Sequence, residues 1–331
     1  MGKNFMVLTS LKQRLRHYAP VALCLLCLFA GSPLLAQSVP TPPGAKFGWL
    51  QVNGTDLFWM SIGEGVPVVI LHGGPGLDHT YLLPQMLHLA DKYKLIFFDQ
   101  RGSGISSSIV DTNSMTMNTF VDDLEGVRKA FHLEKMNLIG HSWGGLLAMF
   151  YAVKYPDHPN TLTLMNSTPA NSALRNASFA VMATRTSRDD SVAQAAIVGT
   201  EGFQKRDPRT MEEFYRLLFR GTFYNSRYAD SLTLTLDSSY AIKSRLTKYL
   251  AKDAALRNYD LLPALKRVQC PTLIIGADYD MVTPEANEKL HEAIPGSTLV
   301  MLHHCGHFPF VEAPDQLFPV LEGFLSKTAR R

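Results

Sequence analysis

The segment Gly140-His141-Ser142-Trp143-Gly144 sets a serine between two glycines, after the apolar run Met136-Asn137-Leu138-Ile139 and before the helix-forming run Gly145 to Val153. A sharp turn from strand into helix brings backbone segments close together, and glycine tolerates that closeness. The same turn holds the serine in an unfavourable conformation that lifts its Oγ out for attack. The following helix presents its positive end, which favours negative charge developing there. This chemistry is nucleophilic, and it requires a base, an acid to orient the base, and donors for an oxyanion.

The base is placed at His307 in HHCGHFPFVEAP, just past the last strand-like run, where a loop brings its imidazole to Ser142. His303 and His304 are rivals that read as strand or loop residues. Together with Cys305 these histidines suggest metal ligands, but neighbouring side chains on a strand point to opposite faces and no second cluster completes a tetrahedral set. Neither a metal nor another cofactor is expected. The run TLIIGADYDMVTP offers two acids, Asp278 and Asp280, so the chain order is Ser, Asp, His. The backbone N–H of Trp143 is one oxyanion donor. The other is expected from His72-Gly73-Gly74-Pro75-Gly76, at Gly74, because Pro75 has no N–H to give. That glycine-rich loop lacks the lysine and spacing of a phosphate-binding loop and is not GxGxxG.

These residues must be carried by a sheet. The runs VPVVILHG, KLIFFDQRG, MNLIGHS, TLTLMNS, TLIIGA and STLVMLH are short, apolar and bounded by turn residues, and several are separated by helical periodicity. That rhythm predicts a mostly parallel sheet of βαβ units. Two strand-like runs around Asn53-Gly54 predict an antiparallel hairpin that opens the sheet. Phe120, Leu124, Val127 and Phe131 recur at helical spacing, and GLLAMFYAVK reads as a buried helix ending before Pro156. From about Pro169 to Leu262 the rhythm fails and helix formers dominate, which predicts a helical cap inserted after the sixth strand. The cap would sit over the carboxyl ends of the strands, where open α/β sheets bind their ligands.

With 331 residues, 46% hydrophobic and 18% charged, the chain has the make-up of a globular enzyme rather than a disordered protein. Lys3, Lys12, Arg14 and Arg16, the run APVALCLLCLF and then GSPLLA have the three-part layout of a secretory leader, with cleavage expected after Ala36. The apolar run falls short of the ~20 residues of a spanning helix. Leu34 is a poor small residue two positions before Ala36, so an uncleaved N-terminal anchor is the alternative. The four leader cations exceed the whole formal charge of +3, so the basic balance gives no reason to expect nucleic acid. Cys270 and Cys305 remain beyond the leader. They flank neighbouring strands at opposite ends, several residues of ~3.3 Å apart, and are expected not to pair. The expected organisation is a leader (1–36), a linker (37–46), a first core part (47–168), the cap (169–262) and a second core part (263–331).

HGGPG, DQRGSG (Asp99 to Gly104), GHSWGG, YDMVTP and GHFPFVEAP together resemble the proline iminopeptidase family of α/β-hydrolases, over about Phe47 to Leu325. The resemblance implies the α/β-hydrolase fold and a serine peptidase that releases an N-terminal residue, typically proline. It favours Asp280 as the acid, through the DxxxP spacing to Pro284. It also implies that cap carboxylates hold the substrate's ammonium. Glu212 and Glu213 in TMEEFYRLLF are the candidates, with Glu201 and Asp78 behind them; adjacent acids on a helix are usually a solvated face. The implied substrates are small peptides. An exported carboxylesterase or amidase acting on neutral acyl groups with the same triad is the second hypothesis. A catalytically silent binding protein is the third.

Overall fold

A computed structural model describes residues 41–328; the expected leader lies outside the described residues. Eight strands form one sheet: β1 (Lys46–Val52), β2 (Thr55–Ile62), β3 (Val66–Leu71), β4 (Tyr93–Phe98), β5 (Met136–His141), β6 (Pro159–Met165), β7 (Thr272–Ala277) and β8 (Thr298–Leu302). Their spatial order is β1-β2-β4-β3-β5-β6-β7-β8. β1 and β2 form the expected hairpin, and β2 joins β4 antiparallel. Every pairing from β4 through β3 to β8 is parallel. The two-residue hairpin turn has Asn53 at φ 45° and Gly54 at φ 75°, the positive-φ pair that matches the twist of the flanking strands.

Both faces of the sheet are covered, which explains the continuous apolar runs. On β3, Val69 and Leu71 pack with Phe120, Leu124 and Val127 of the helix Met117–Ala130 and with Leu146 and Leu147 of the helix Trp143–Lys154. Val68 and Ile70 face the other side, with Leu317, Leu321 and Leu325 of the helix Pro314–Thr328. Alternation along one strand thus serves two cores.

The sheet order reverses at β3. The chain runs from β3 outward to β4 and then crosses back to β5 on β3's other side. Such a switch point opens a crevice at the carboxyl ends of the two strands. The loop after β3 is HGGPG and the turn after β5 carries Ser142, so topology brings those two motifs together.

Between β6 and β7 the structured elements are helices, among them Ser172–Arg185, Arg188–Val198 and Pro208–Arg220. The stretch YAIKSRLTKYLAKDAAL, rich in helix formers, breaks into short helices at Tyr240–Lys243, Thr247–Leu250 and Ala254–Arg257. Tertiary contacts override propensity there. Lys243 is buried with its ammonium donating to the Gly104 carbonyl. Asp253 caps the last of these helices and also accepts from Met117 N. β8 stops at Leu302, before His303. Cys270 and Cys305 are free thiols, one before β7 and one after β8. No helix among the described residues is long and apolar enough to cross a membrane.

Candidate active site

Ser142 sits at φ 53°, ψ −118°, a conformation rare for a residue with a side chain, at the start of the helix Trp143–Lys154. The glycines on either side are forced by contact. A Cβ on Gly140 would lie 2.5 Å from the Gly144 carbonyl oxygen, and one on Gly144 would lie 2.3 Å from that of Leu71. Those obstacles are backbone, which has no rotamer to yield. The serine is 9% exposed and lines the cavity above it.

The Ser142 hydroxyl lies 3.0 Å from His307 Nε2, and His307 Nδ1 lies 2.8 Å from Asp280 Oδ1. Asp280 Oδ1 only accepts, so Nδ1 carries the proton and Nε2 is left to accept from the serine. The other Asp280 oxygen accepts from Asn166 Nδ2 at 2.8 Å, and the same amide donates to the Gly306 carbonyl at 3.1 Å. Asn166 follows β6 with φ 45°. It ties the acid turn to the histidine loop, and the sequence reading passed over it. The DxxxP spacing has a local cause: Thr283 caps the helix Pro284–Ala293, with proline at its first turn.

Asp278 does other work. Its carboxylate accepts from His304 N at 2.9 Å and Cys305 N at 3.2 Å, shaping the turn that delivers His307. His303 lies on the surface beside Asp278, and His304 packs on Tyr224, so neither faces Ser142. Among the described residues no group of three His, Cys, Asp or Glu side chains is placed to hold a metal.

Gly74, at φ 121°, lines the same cavity as Ser142. The Trp143 N–H is the first amide of its helix, one of the donors that the helix itself leaves unpaired. DQRGSG supports both. Gln100 N donates to His72 Nε2 at 3.0 Å, its side-chain amide donates to the His72 carbonyl, and its Oε1 accepts from Trp143 Nε1 at 2.8 Å. Burial drives the His72 pKa down to about 4, so the ring is neutral. Arg101 is buried and binds Asp123 with two bonds of 2.9 and 2.7 Å, and also the Asn53 carbonyl, locking the hairpin to the helix below it.

The cavity above Ser142 has a volume of about 310 Å³. Phe179 and Met182 of one cap helix and Tyr215, Leu218 and Phe219 of another form its roof, with Phe308 on the core side. No carboxylate is among the residues lining it. Glu212 and Glu213, expected to hold a substrate amine, are placed elsewhere. Glu212 accepts from Leu236 N at 2.7 Å, and Glu213 is exposed. Sequence identifies a helix face but not which end of it reaches the cavity, and here the Tyr215–Phe219 end does so. Glu201 pairs with Lys205 on the surface. Asp78 caps the turn at Thr80, and burial, followed by the charge of Asp99, raises its pKa to about 6.

Residues 66–314 match the alpha/beta hydrolase fold family. A proline iminopeptidase of Heyndrickxia coagulans is 27% identical over 302 residues, covering 84% of this chain and 98% of that protein. The crystal structure of a Mycobacterium smegmatis proline iminopeptidase superposes with a TM-score of 0.65 at 22% identity, covering 86% of this chain and 99% of that one. An esterase from Exiguobacterium antarcticum has the same fold at a TM-score of 0.61 and 24% identity, covering 84% and 98%. On this evidence the chain belongs to the α/β-hydrolase fold family and is a serine hydrolase.

Proposed function

We propose that this hydrolase is an exported aminopeptidase of the proline iminopeptidase type, with Ser142 as nucleophile, His307 as base and Asp280 as the acid that orients it. The observation that carries the reading is the unbroken chain Ser142–His307–Asp280, at 3.0 and 2.8 Å, beneath an apolar cavity. His307 takes the serine proton as Oγ attacks the carbonyl carbon, and the Gly74 and Trp143 N–H groups receive the oxyanion. The tetrahedral adduct collapses as His307 returns the proton to the leaving amine. Water, activated by the same imidazole, then clears the acyl-enzyme. The cavity volume falls within the roughly 300–1,000 Å³ of small-ligand sites, and aromatic walls suit a proline ring. Similarity to proline iminopeptidases along most of the chain supports peptide substrates. Export rests on the leader up to Ala36, and N-terminal sequencing of protein recovered from outside the cytoplasm, starting at Gln37, tests it.

A second reading is favoured by one observation, the lack of any carboxylate among the cavity-lining residues. An ammonium buried there would go unpaired, at a cost of several kcal/mol, a cost that a neutral acyl ester or amide avoids. The two are separated by kcat/KM of the mature protein on a prolyl chromogenic amide and a short-chain p-nitrophenyl ester, each repeated with Ser142→Ala. Efficient cleavage of the amide supports the aminopeptidase. Cleavage of the ester alone, abolished by Ser142→Ala, replaces it with an esterase. Activity that survives Ser142→Ala removes both.

A further inference from the structure

We infer that Tyr81 and His141 form a hydrogen-bonded strut that sets the oxyanion loop at a fixed distance from the His307 backbone, making both of them positioning residues for the reaction. The inference rests on the assignment of Ser142 and His307 above. His141 is the first of the two x positions of the GxSxG motif, and it is almost wholly buried. Its Nε2 lies 2.8 Å from the His307 carbonyl oxygen, and its Nδ1 lies 2.7 Å from the Tyr81 hydroxyl. The Tyr81 oxygen in turn accepts from Gly73 N at 2.7 Å.

Every polarity in this chain is determined. A carbonyl oxygen only accepts, so Nε2 of His141 carries the proton and donates to His307. Burial, aided by the neighbouring His307, holds His141 well below its ordinary pKa, so the ring is neutral and Nδ1 accepts from the Tyr81 O–H. That leaves a lone pair on the Tyr81 oxygen for Gly73 N–H. The proton order runs from Gly73 through Tyr81 and His141 to His307 without a break.

Gly73 is gripped at its other end too. His72 Nε2 accepts from Gln100 N, so its Nδ1 carries the proton and donates to the Gly73 carbonyl at 2.9 Å. The N–H of a trans peptide points opposite to its C=O, so pinning the Gly73 carbonyl aims the Gly74 N–H the other way. There is no slack, since a Cβ on Gly73 would lie 2.8 Å from the Tyr81 hydroxyl and 3.1 Å from Ser142 Cβ. The donor loop, the nucleophile and the base are therefore spaced by one chain of bonds, whose middle member immediately precedes the serine.

The test compares Tyr81→Phe, His141→Asn and the double variant with wild type on whichever substrate the enzyme cleaves, with rates taken per active site titrated. Tyr81→Phe keeps the ring and the packing, so it reports even if His141→Asn folds poorly. Preorganised donors act on the transition state, so Tyr81→Phe is expected to lower kcat about 10- to 100-fold with KM changed less than about twofold. Affinity for phenylboronate, which forms a tetrahedral adduct on the serine, should fall in proportion to kcat/KM. The double variant should be no worse than the poorer single, because both cut the same chain. A Tyr81→Phe enzyme with unchanged kcat overturns the strut, as does unaltered boronate affinity beside a lowered kcat, or effects that multiply. Ser142→Ala is run in parallel. If it stays active, the assignment of the nucleophile fails; if it is dead and Tyr81→Phe is unaffected, only the strut does.

Discussion

At the scale of single residues, the proposed site is held by groups outside the Ser142–His307–Asp280 chain. Asn166 is the clearest, since its one amide serves both Asp280 and the Gly306 carbonyl. Removing it leaves a buried carboxyl oxygen short of a donor and frees the loop that carries His307. Asn166→Ala should lower kcat about tenfold, near 1.4 kcal/mol of transition-state stabilisation, with KM little changed. Steady-state kinetics on the better substrate measure this, and a fall in KM affinity with normal kcat would refute it. The neutral histidines His72 and His141 belong to the same class. Burial keeps both uncharged so that each can donate from one nitrogen and accept at the other, which a charged ring cannot do.

At the scale of elements, the helix Met117–Ala130 is joined to the helix Trp143–Lys154 and the start of β6 through Glu125. Its carboxylate accepts two bonds from Arg128, one from Tyr151 at 2.8 Å and one from His158 at 3.0 Å. Burial by itself would raise this carboxyl, but the hydrogen bonds from Arg128, Tyr151 and His158 outweigh it and bring the pKa down to about 2. An unfolded glutamate titrates near 4.3, so the stabilisation is complete above that pH and is lost as pH falls through about 2. Solvent screening of this partly open carboxylate trims its size at neutral pH to about 2 kcal/mol. In urea titrations, Glu125→Gln should be less stable than wild type at pH 6, with the gap narrowing steadily below pH 4.5. A gap that stays constant between pH 6 and 3 would exclude this linkage.

At the scale of the whole molecule, the cap and the catalytic loop share a fastening. Glu312 of the GHFPFVEAP motif accepts from Tyr224 N at 3.1 Å and Asn225 N at 2.6 Å in the cap, and from Gly306 N at 2.7 Å in the histidine loop. His307 N itself donates to the Thr222 carbonyl. A Cβ on Gly306 would lie 2.0 Å from that same oxygen, so the two segments are in backbone contact. The roof of the cavity and the base beneath it are thus anchored to one another. Glu312→Ala leaves three amides without their acceptor and should cost about 2 kcal/mol of stability. It should also make the Thr222–Asn225 segment the first site of limited proteolysis. Unchanged melting and an unchanged cleavage map would show that the fastening carries no load.

The sequence alone determined what short-range physics encodes. Asn53-Gly54 dictates a hairpin because its residues accept positive φ, apolar runs of strand length dictate buried parallel strands, and glycines at fixed offsets dictate the turn that raises Ser142. Each depends on a few neighbouring residues, so the α/β-hydrolase fold and the helical segment after its sixth strand were legible, and the residues singled out for chemistry, Ser142, His307 and Asp280, lie within hydrogen-bonding distance of one another. What only the tertiary structure decided depends on partners far along the chain. Tyr81 meets His141 across 60 positions and Asn166 meets Asp280 across 114, and no periodicity announces such pairings. Glu212 shows the same limit from the other side. Its helix was foreseen, but whether its carboxylate meets a substrate or the Leu236 amide depends on how the cap folds back over the sheet, and packing of distant apolar surface sets that.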